Sequence, residues 1–283
     1  MTALLANRCH RALEPLHSMI YFAPEADQAF VDGGLRPGRM GYFASRSAPM
    51  GAVGPGVVTA TFYNFNPELV ARHIPRAWTL STPGALLDAR LVAADAALRR
   101  LLGAEVASDE VAEAALLARE ASTGCFPDGR PLYAAHAELG WPAEPHLVLW
   151  HAASLLREFR GDGHIAVLIE AELSGLEGLV THTATGRGFL ESAAKQSRGW
   201  SDAEWDAAVD RLRARGILDA AGALTEAGTA LRERIEESTG RLAVAPWTVL
   251  GADRSERLRV LGRSLSARIV EAGAFPAKFF ATR

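Results

Sequence analysis

The stretch Ser201 to Thr239, SDAEWDAAVDRLRARGILDAAGALTEAGTALRERIEEST, constrains the fold more than any other part of the chain. Trp205, Val209 and Leu212 recur at i, i+4 and i+7 with Ala208 beside them, the spacing that gathers apolar side chains on one helix face. Ser201 and Glu204 form a capping-box pattern, and Gly216 supplies the stop. Ile217-Leu218 and Ala223-Leu224 then flank Asp219 to Gly222 like the arms of a short β-hairpin. Thr225 caps a second amphipathic helix carrying Leu231, Ile235 and Leu242. Helix, hairpin, helix is the expected order.

Composition widens that reading to the whole chain. With 283 residues, 49% of them apolar, there is material for one large domain or two small ones. Few aromatic residues and abundant Ala, Leu, Arg and Glu favour helices and exclude an all-β fold. A net charge of −3 and a pI near 6.3 give no global attraction to a phosphate backbone. Cys9 and Cys125 lie too far apart in sequence for a disulfide framework or a CxxC zinc pair, which fits a reducing compartment. Met1 to Leu16 carries Arg8, His10, Arg11 and Glu14 inside its apolar run, unlike a signal peptide. No stretch approaches the ~18 uncharged apolar residues of a membrane span, so the expectation is a cytoplasmic chain with no membrane partner.

Along the chain, a helix is expected over Asn7 to Gly33, with Pro15 and Pro24 as breaks. Arg36 to Pro67 is rich in Gly and Pro, and within it the β-branched run Val57 to Tyr63 reads as a short strand. Helices follow over Pro83 to Gly103 and from Ser108 to about Gly124. The Pro- and Gly-rich segment from Cys125 to Pro145 is the best joint, giving units at 1–125 and 146–283 with a linker at 126–145. Beyond it, a helix over His146 to Phe159, a turn at Arg160 to Gly163 capped by Asp162, and a helix over His164 to Leu173 are expected, then a capping box at Ser174 and Glu177.

Two resemblances follow from quoted residues. The wording from about Ser201 to Gly251, with its RGIL, LT.AG..LR and PW..LG blocks, resembles the MarR-type winged helix-turn-helix regulators. The blocks Leu13-Glu14-Pro15-Leu16-His17, Arg39 to Arg46 and Arg160 to His164 look like an actinobacterial SalK-like helix-turn-helix family, across nearly the whole chain. Both imply a mainly α fold with short β-hairpins: a winged-helix-like C-terminal domain and a divergent N-terminal half open to reading as a second copy of it. Neither resemblance carries over a biochemical function.

In the regulators it resembles, the segment matching Ser201 to Arg215 enters the major groove and the hairpin tip touches the backbone. Here Asp202, Glu204, Asp206 and Asp210 stand where donors are needed, and Asp219 to Leu224 holds no Lys or Arg. Acidity on the helix and a wing without charge to offer phosphate disfavour DNA as a partner.

Chemistry concentrates at His136, His146, His151, His164 and His182, without HExxH spacing, so no metal site is expected. Within that window Asp162, His164 and His151 form the candidate acid/base set, a carboxylate orienting an imidazole. The plainer alternative is that Asp162 caps a helix and the histidines are satisfied by backbone. Arg157 would clamp an anion or pair with Glu158. A second candidate is the glycine-rich loop, with Arg46, Met50, Tyr63 and Asn64 as contacts; it lacks a P-loop or dinucleotide pattern. No nucleophile elbow is present. The combined expectation is a small-molecule binder on a repurposed winged-helix scaffold. An apolar ligand would lie between the halves, with Arg46, Met50, Tyr63, Asn64, Arg157 and His182 as binding contacts, and acid/base chemistry without a cofactor is one use of the site. No particular cofactor is implied by the residues. The alternative is a ligand-responsive MarR-like regulator, dimerised through Leu231 to Leu242 and Glu256 to Ala272.

Overall fold

The computed structural model describes residues 1–276, and every regular element within them is helical. α1 (Ala3–Ser18) begins where the Thr2 hydroxyl accepts from the Leu5 amide, and Pro15 in its last turn leads into a 3-10 turn at Met19–Phe22. Pro24 opens α2 (Pro24–Asp32), so the helix expected up to Gly33 is a bent pair. α3 (Arg39–Ser47), α4 (Pro55–Phe62), α5 (Pro67–His73), α6 (Pro83–Leu102), α7 (Asp109–Ser122) and α8 (Pro131–Ala137) follow. Four of these, α4, α5, α6 and α8, start on proline, whose missing N–H costs nothing in a first turn.

The strand expected at Val57 to Tyr63 is α4 instead. β-branched residues favour strands only where a neighbouring strand takes their backbone groups, and none lies nearby. In the helix, Val58 and Phe62 fall one turn apart and are both buried, while the Thr61 hydroxyl donates to the Val57 carbonyl at 3.0 Å. A second correction concerns Arg160 to Gly163, which is no turn. α9 (Pro145–Glu170) runs through it as one helix of 26 residues. Each helical glycine costs only about 1 kcal/mol relative to alanine, so Gly161 and Gly163 weaken the helix without ending it. A Cβ on Gly163 would make ordinary contact, 3.5 Å from the Leu242 Cβ.

α10 (Gly175–Thr183), α11 (Glu191–Arg198) and α12 (Asp202–Ala214) come next, then α13 (Glu226–Leu242), α14 (Ala245–Leu250) and α15 (Ala252–Glu271). The expected fold of helices with short β-hairpins is overturned, since no strand or sheet forms among the described residues. Between α12 and α13 the wing is reduced to a single antiparallel bridge, Leu218 to Leu224. Its tip is fixed by Asp219, whose carboxylate accepts from the amides of Ala221 and Ala223. Arms of two apolar residues are too short to extend a ladder.

Two large hydrophobic cores result, with Tyr133, Leu155 and Phe159 as a small third cluster. The larger joins residues 6–156 to 244–274, with α15 returning to pack along α1 and α7. The smaller gathers Val167, Leu168, Leu176, Leu179, Trp205, Leu212 and Ile235. α9 belongs to both, through Leu147 to Leu156 in the first and Val167 and Leu168 in the second.

Two helix trios have similar layouts on either side of α9. α3, α4 and α5 have 9, 8 and 7 residues, and α10, α11 and α12 have 9, 8 and 13. In each, a glycine in the first helix rests on the preceding helix: Gly41 against Phe30, Gly178 against Leu168. A polar side chain caps the third helix in each, Asn66 for α5 and Ser201 for α12.

Candidate functional site

The two trios meet turn against turn. Asn66 holds the junction with three bonds. Its Oδ1 accepts from the Glu68 amide at 2.8 Å to cap α5, its Nδ2 donates to the Glu204 carboxylate at 3.0 Å, and its own amide donates to the Arg198 carbonyl at 2.9 Å. The Trp200 indole donates to the Asn64 carbonyl at 2.9 Å, and the Tyr63 hydroxyl to the Leu173 carbonyl at 2.6 Å. Only glycine fits at Gly175, where a Cβ would fall 1.8 Å from the Tyr63 carbonyl oxygen. Residues 63–66 therefore pack beside the start of α12, whose Asp202, Ala203 and Glu204 stay exposed, and Glu204, Ala207 and Arg211 border a groove of about 450 Å³ shared with Tyr63 and Phe65.

Beside this junction lies a larger cavity of about 670 Å³. Its apolar wall is mostly aromatic: Tyr21, Phe22, Phe30, Tyr42, Phe65, Phe189 and Phe275. Tyr21 meets Tyr42 edge to face with ring centres 5.1 Å apart, and Tyr42 lies 5.4 Å from Phe65. α11 contributes Ser197 and Arg198, α6 Arg90, α9 Arg157, α3 Arg39 and α1 Glu14, so these five helices from both sides of the junction close one space.

A buried ionic cluster forms its floor. Glu158, 1% exposed, receives Arg46 through both carboxylate oxygens, at 3.3 and 3.0 Å, and Arg157 at 2.7 Å. Burial alone would raise the Glu158 carboxyl, but the two guanidinium groups outweigh it and hold it well below the usual range. Arg46 also donates to the Tyr42 hydroxyl at 3.1 Å and lies 4.3 Å above the Phe62 ring. Glu14 is pushed up by burial, and its Oε2 has no hydrogen-bond partner. Next to it runs a polar chain. The Ser154 hydroxyl donates to the Trp150 carbonyl and so accepts from His17 Nδ1 at 2.8 Å, which leaves Nε2 to accept from the Tyr21 hydroxyl at 2.9 Å. Burial lowers the His17 pKa far enough to keep this ring neutral.

The chain belongs to a helix-turn-helix family. That family's model matches residues 6–276, which includes both trios and the cavity. No curated protein and no solved structure matches the chain.

On this helix-turn-helix frame the residues singled out in sequence scatter over several places. Arg157 lines the cavity, and Arg46 stands directly behind it through Glu158 and Tyr42. Tyr63 and Asn64 sit at the junction, and Met50 ends a 3-10 turn packed on the larger core. His151, Asp162 and His164 do not line the cavity, and their hydrogen bonds lead elsewhere. Asp162 accepts from the amides of Leu132 and Tyr133 at 3.0 and 2.9 Å, capping α8 rather than orienting an imidazole. Burial nonetheless raises it to about 6. His164 Nδ1 meets the Thr239 hydroxyl at 2.8 Å, and burial pushes its ring down to about 3. His151 packs edge-on against Trp141, its Nε2 has no partner, and burial lowers it to about 4. His182 lies 3.5 Å from Arg232 and is lowered by burial and by that charge. Among the described residues no group of His, Cys, Asp and Glu converges as a metal site would require.

Arg90, Tyr21, Tyr42, Arg39 and Arg198 escaped the sequence reading as site residues. One signal was present for Arg90: it falls on the buried stripe Leu86, Ala93 and Ala97 of α6, a charge where an apolar residue is due. Another lay in the word blocks that carried the SalK-like resemblance, which supply Glu14, Arg39, Tyr42 and Ser45 to the cavity wall.

Proposed function

We propose that this helix-turn-helix protein binds a small molecule in the cavity beside the junction of its two trios. The second trio then serves as a wall of the ligand site rather than as a reader of DNA. The carrying observation is the cavity itself. At about 670 Å³ it lies within the roughly 300–1,000 Å³ of ordinary ligand sites, with an aromatic wall and a few converging polar groups. Its position between two units matches the place where such sites commonly occur.

The surface of α12 supports the same reading. Asp202, Glu204, Asp206 and Asp210 are all exposed on it. Its arginines are engaged with the protein: Arg211 on Glu177, Arg213 on Asp210 and the carbonyls of Asp219 and Ala220, Arg215 on the carbonyls of Ala171 and Glu172. A helix entering the major groove needs donors on its exposed face; this one presents carboxylates there, with Glu204 tied to Asn66. The MarR-type likeness of residues 201–251 is then one of scaffold. The proposal is binding, without an assigned reaction, because His164 at about 3 is unprotonated at neutral pH but too weakly basic to serve as an efficient general base there.

Two measurements test this. In a mobility-shift assay at ~50 mM salt, where phosphate contacts are strongest, duplex DNA should not be retarded. The apolar fluorescent probe phenylnaphthylamine should bind saturably to the wild type, and Ser18→Trp, which places a ring in the cavity, should abolish that binding. Retarded duplex, or probe binding that survives Ser18→Trp, overturns the proposal.

A further inference from the structure

The charges around the cavity do not balance. Arg39, Arg90, Arg157 and Arg198 line it with Arg46 behind, against three carboxylates, Glu14 and Asp27 on the wall and Glu158 behind it. Glu158 is already shared by Arg46 and Arg157. Arg39 is directed onto the carbonyls of Gln196 and Ser197 at the end of α11. That leaves Arg90 and Arg198. Arg198 gives Nη1 to the Ser197 hydroxyl, lies over Phe65 and Phe189, and has no partner for Nε.

Arg90 is the sharper case. It is 3% exposed, yet neither its Nε nor its Nη2 has a hydrogen-bond partner. The rest of the group is held firmly. His136 Nδ1 donates to the Leu132 carbonyl at 2.8 Å, so its Nε2 is an acceptor and takes the Arg90 Nη1 donor at 3.0 Å. The guanidinium also lies 5.1 Å from the Trp150 ring centre. Nε and Nη2 are the two donors of one guanidinium edge, with parallel N–H bonds spaced to meet both oxygens of a carboxylate. Both donors are buried without accessible surface of their own on a residue that lines the cavity, so a ligand meets them as the wall gives way; a buried donor pair left unpaired is costly, and a ligand that fills it removes that cost.

We infer that the cavity takes an aromatic carboxylate, a flat apolar body among Tyr21, Tyr42 and Phe65 whose carboxylate is received by the open edge of Arg90. This rests on the reading of the cavity as a small-molecule site and adds the ligand's chemical class. A planar anion with two oxygens fits one open fork. The rings around it present edges and faces for stacking, as Tyr21, Tyr42 and Phe65 already do with one another.

The test uses the full chain and three matched pairs, benzoate with benzamide, naphthoate with naphthamide, and anthracene carboxylate with its carboxamide, titrated by calorimetry. Each amide keeps the body and removes the charge. At least one carboxylate should bind about tenfold or more tighter than its amide, the scale of a charge-assisted bidentate pair over a neutral one. Arg90→Gln should bring that carboxylate down to the level of its amide while leaving the amide unchanged. Arg90→Lys, which keeps the charge and loses the fork, should fall between. Circular dichroism and melting establish that the variants fold, and if neither does, the wild-type ratio decides alone. Equal binding of carboxylate and amide, blocked by Ser18→Trp, overturns the carboxylate inference and leaves the small-molecule site standing. Failure of every pair and of phenylnaphthylamine to bind the wild type overturns both.

Discussion

Two buried polar clusters follow one another along α9, and they differ in what they enclose. In the first, Arg46, Arg90, Arg157, Glu14 and Glu158 border an open cavity of about 670 Å³. In the second, Arg160, His164, His182, Arg232 and Glu236 fill the contact with α10 and α13. Glu236 accepts from Arg160 at 3.1 Å and Arg232 at 3.0 Å, and Thr239 takes His164. The second cluster holds two of the histidines that make the sequence look chemical. Burial lowers both of them, so the rings sit neutral between elements. The first is arginine-rich, has an unfilled donor edge and adjoins open volume. Histidine density along a chain measures proximity in sequence; a ligand site needs space and unspent hydrogen-bonding capacity.

The largest effect should come from removing the floor of the first cluster. Glu158→Gln leaves Arg46 and Arg157 without their shared anion in a buried place, and breaking such a pair by one partner costs about 3–5 kcal/mol. Urea denaturation should register that loss at neutral pH. The sign with pH follows from the depressed Glu158 pKa: its stabilisation is complete above the unfolded value and is lost as pH falls through the folded one. The wild type should therefore lose its advantage over the variant in acid. A variant as stable as the wild type at pH 7 would make the two clusters equivalent fillers and undo the comparison.

Next in size is the junction that separates the clusters' surroundings. Gly175→Ala drives a methyl group into the Tyr63 carbonyl, and the backbone must shift at a cost of about 1–3 kcal/mol or somewhat more. Gly41→Ala meets the Phe30 ring at 2.7 Å, a side chain that is able to turn, and should cost less. Thermal melts of the two variants rank them. The reverse order would mean the junction is looser than its geometry.

How much of this was legible beforehand varies with the type of signal. Helical periodicity, capping boxes and proline starts are local, so α6, α7, α12 and α13 fall where Ser108, Ser201, Thr225 and Pro83 place them. The strand at Val57 to Tyr63 failed because β-branched residues state a preference that only a partner strand makes good. The turn at Arg160 to Gly163 failed because two glycines lower helical preference by only about 1 kcal/mol each, which the packing of the rest of α9 outweighs. The pairing of Arg157 with Glu158 was readable from its chemistry, whereas Arg46 was read only as a polar contact of the glycine-rich loop and its bond to Glu158, 112 positions away, was not. Arg90 was hidden, since its importance depends on which neighbours leave its donors unpaired, a property of the packed structure alone.

Three buried histidines add a titration, and of these only His164 belongs to the second cluster. His136 and His164 are held near 3 and His151 near 4 by burial, so below about pH 6.5 the unfolded chain binds protons that the folded one refuses. The sign is thus loss of stability as pH falls, by at most about 1.4 kcal/mol per pH unit for each such histidine. Asp162, raised to about 6, acts the opposite way between about pH 4 and 6 and offsets one of them. His164→Gln should flatten the acid limb of a stability-against-pH curve while leaving the carboxylate titrations of the cavity unchanged. A change in ligand affinity with an unchanged acid limb would move His164 out of the structural cluster and into the site.

The smallest effect expected is at Asn66, where two roles are separable. Asn66→Asp retains an oxygen to cap α5 but replaces the donor facing Glu204 with a second carboxylate, whereas Asn66→Ala loses the cap as well. Capping is worth about 1 kcal/mol, and the like-charge contact would set a buried residue 66, 5% exposed, against the exposed Glu204, so that salt screens it only in part. Alanine should therefore destabilise by about 1 kcal/mol more or less independently of salt, whereas the deficit of aspartate should shrink as salt rises. If the junction opens in solution and frees α12, aspartate and wild type will melt together at every salt concentration. In that event the hold of Asn66 on Glu204 would no longer set this chain apart from helix-turn-helix proteins that present their third helix to a groove.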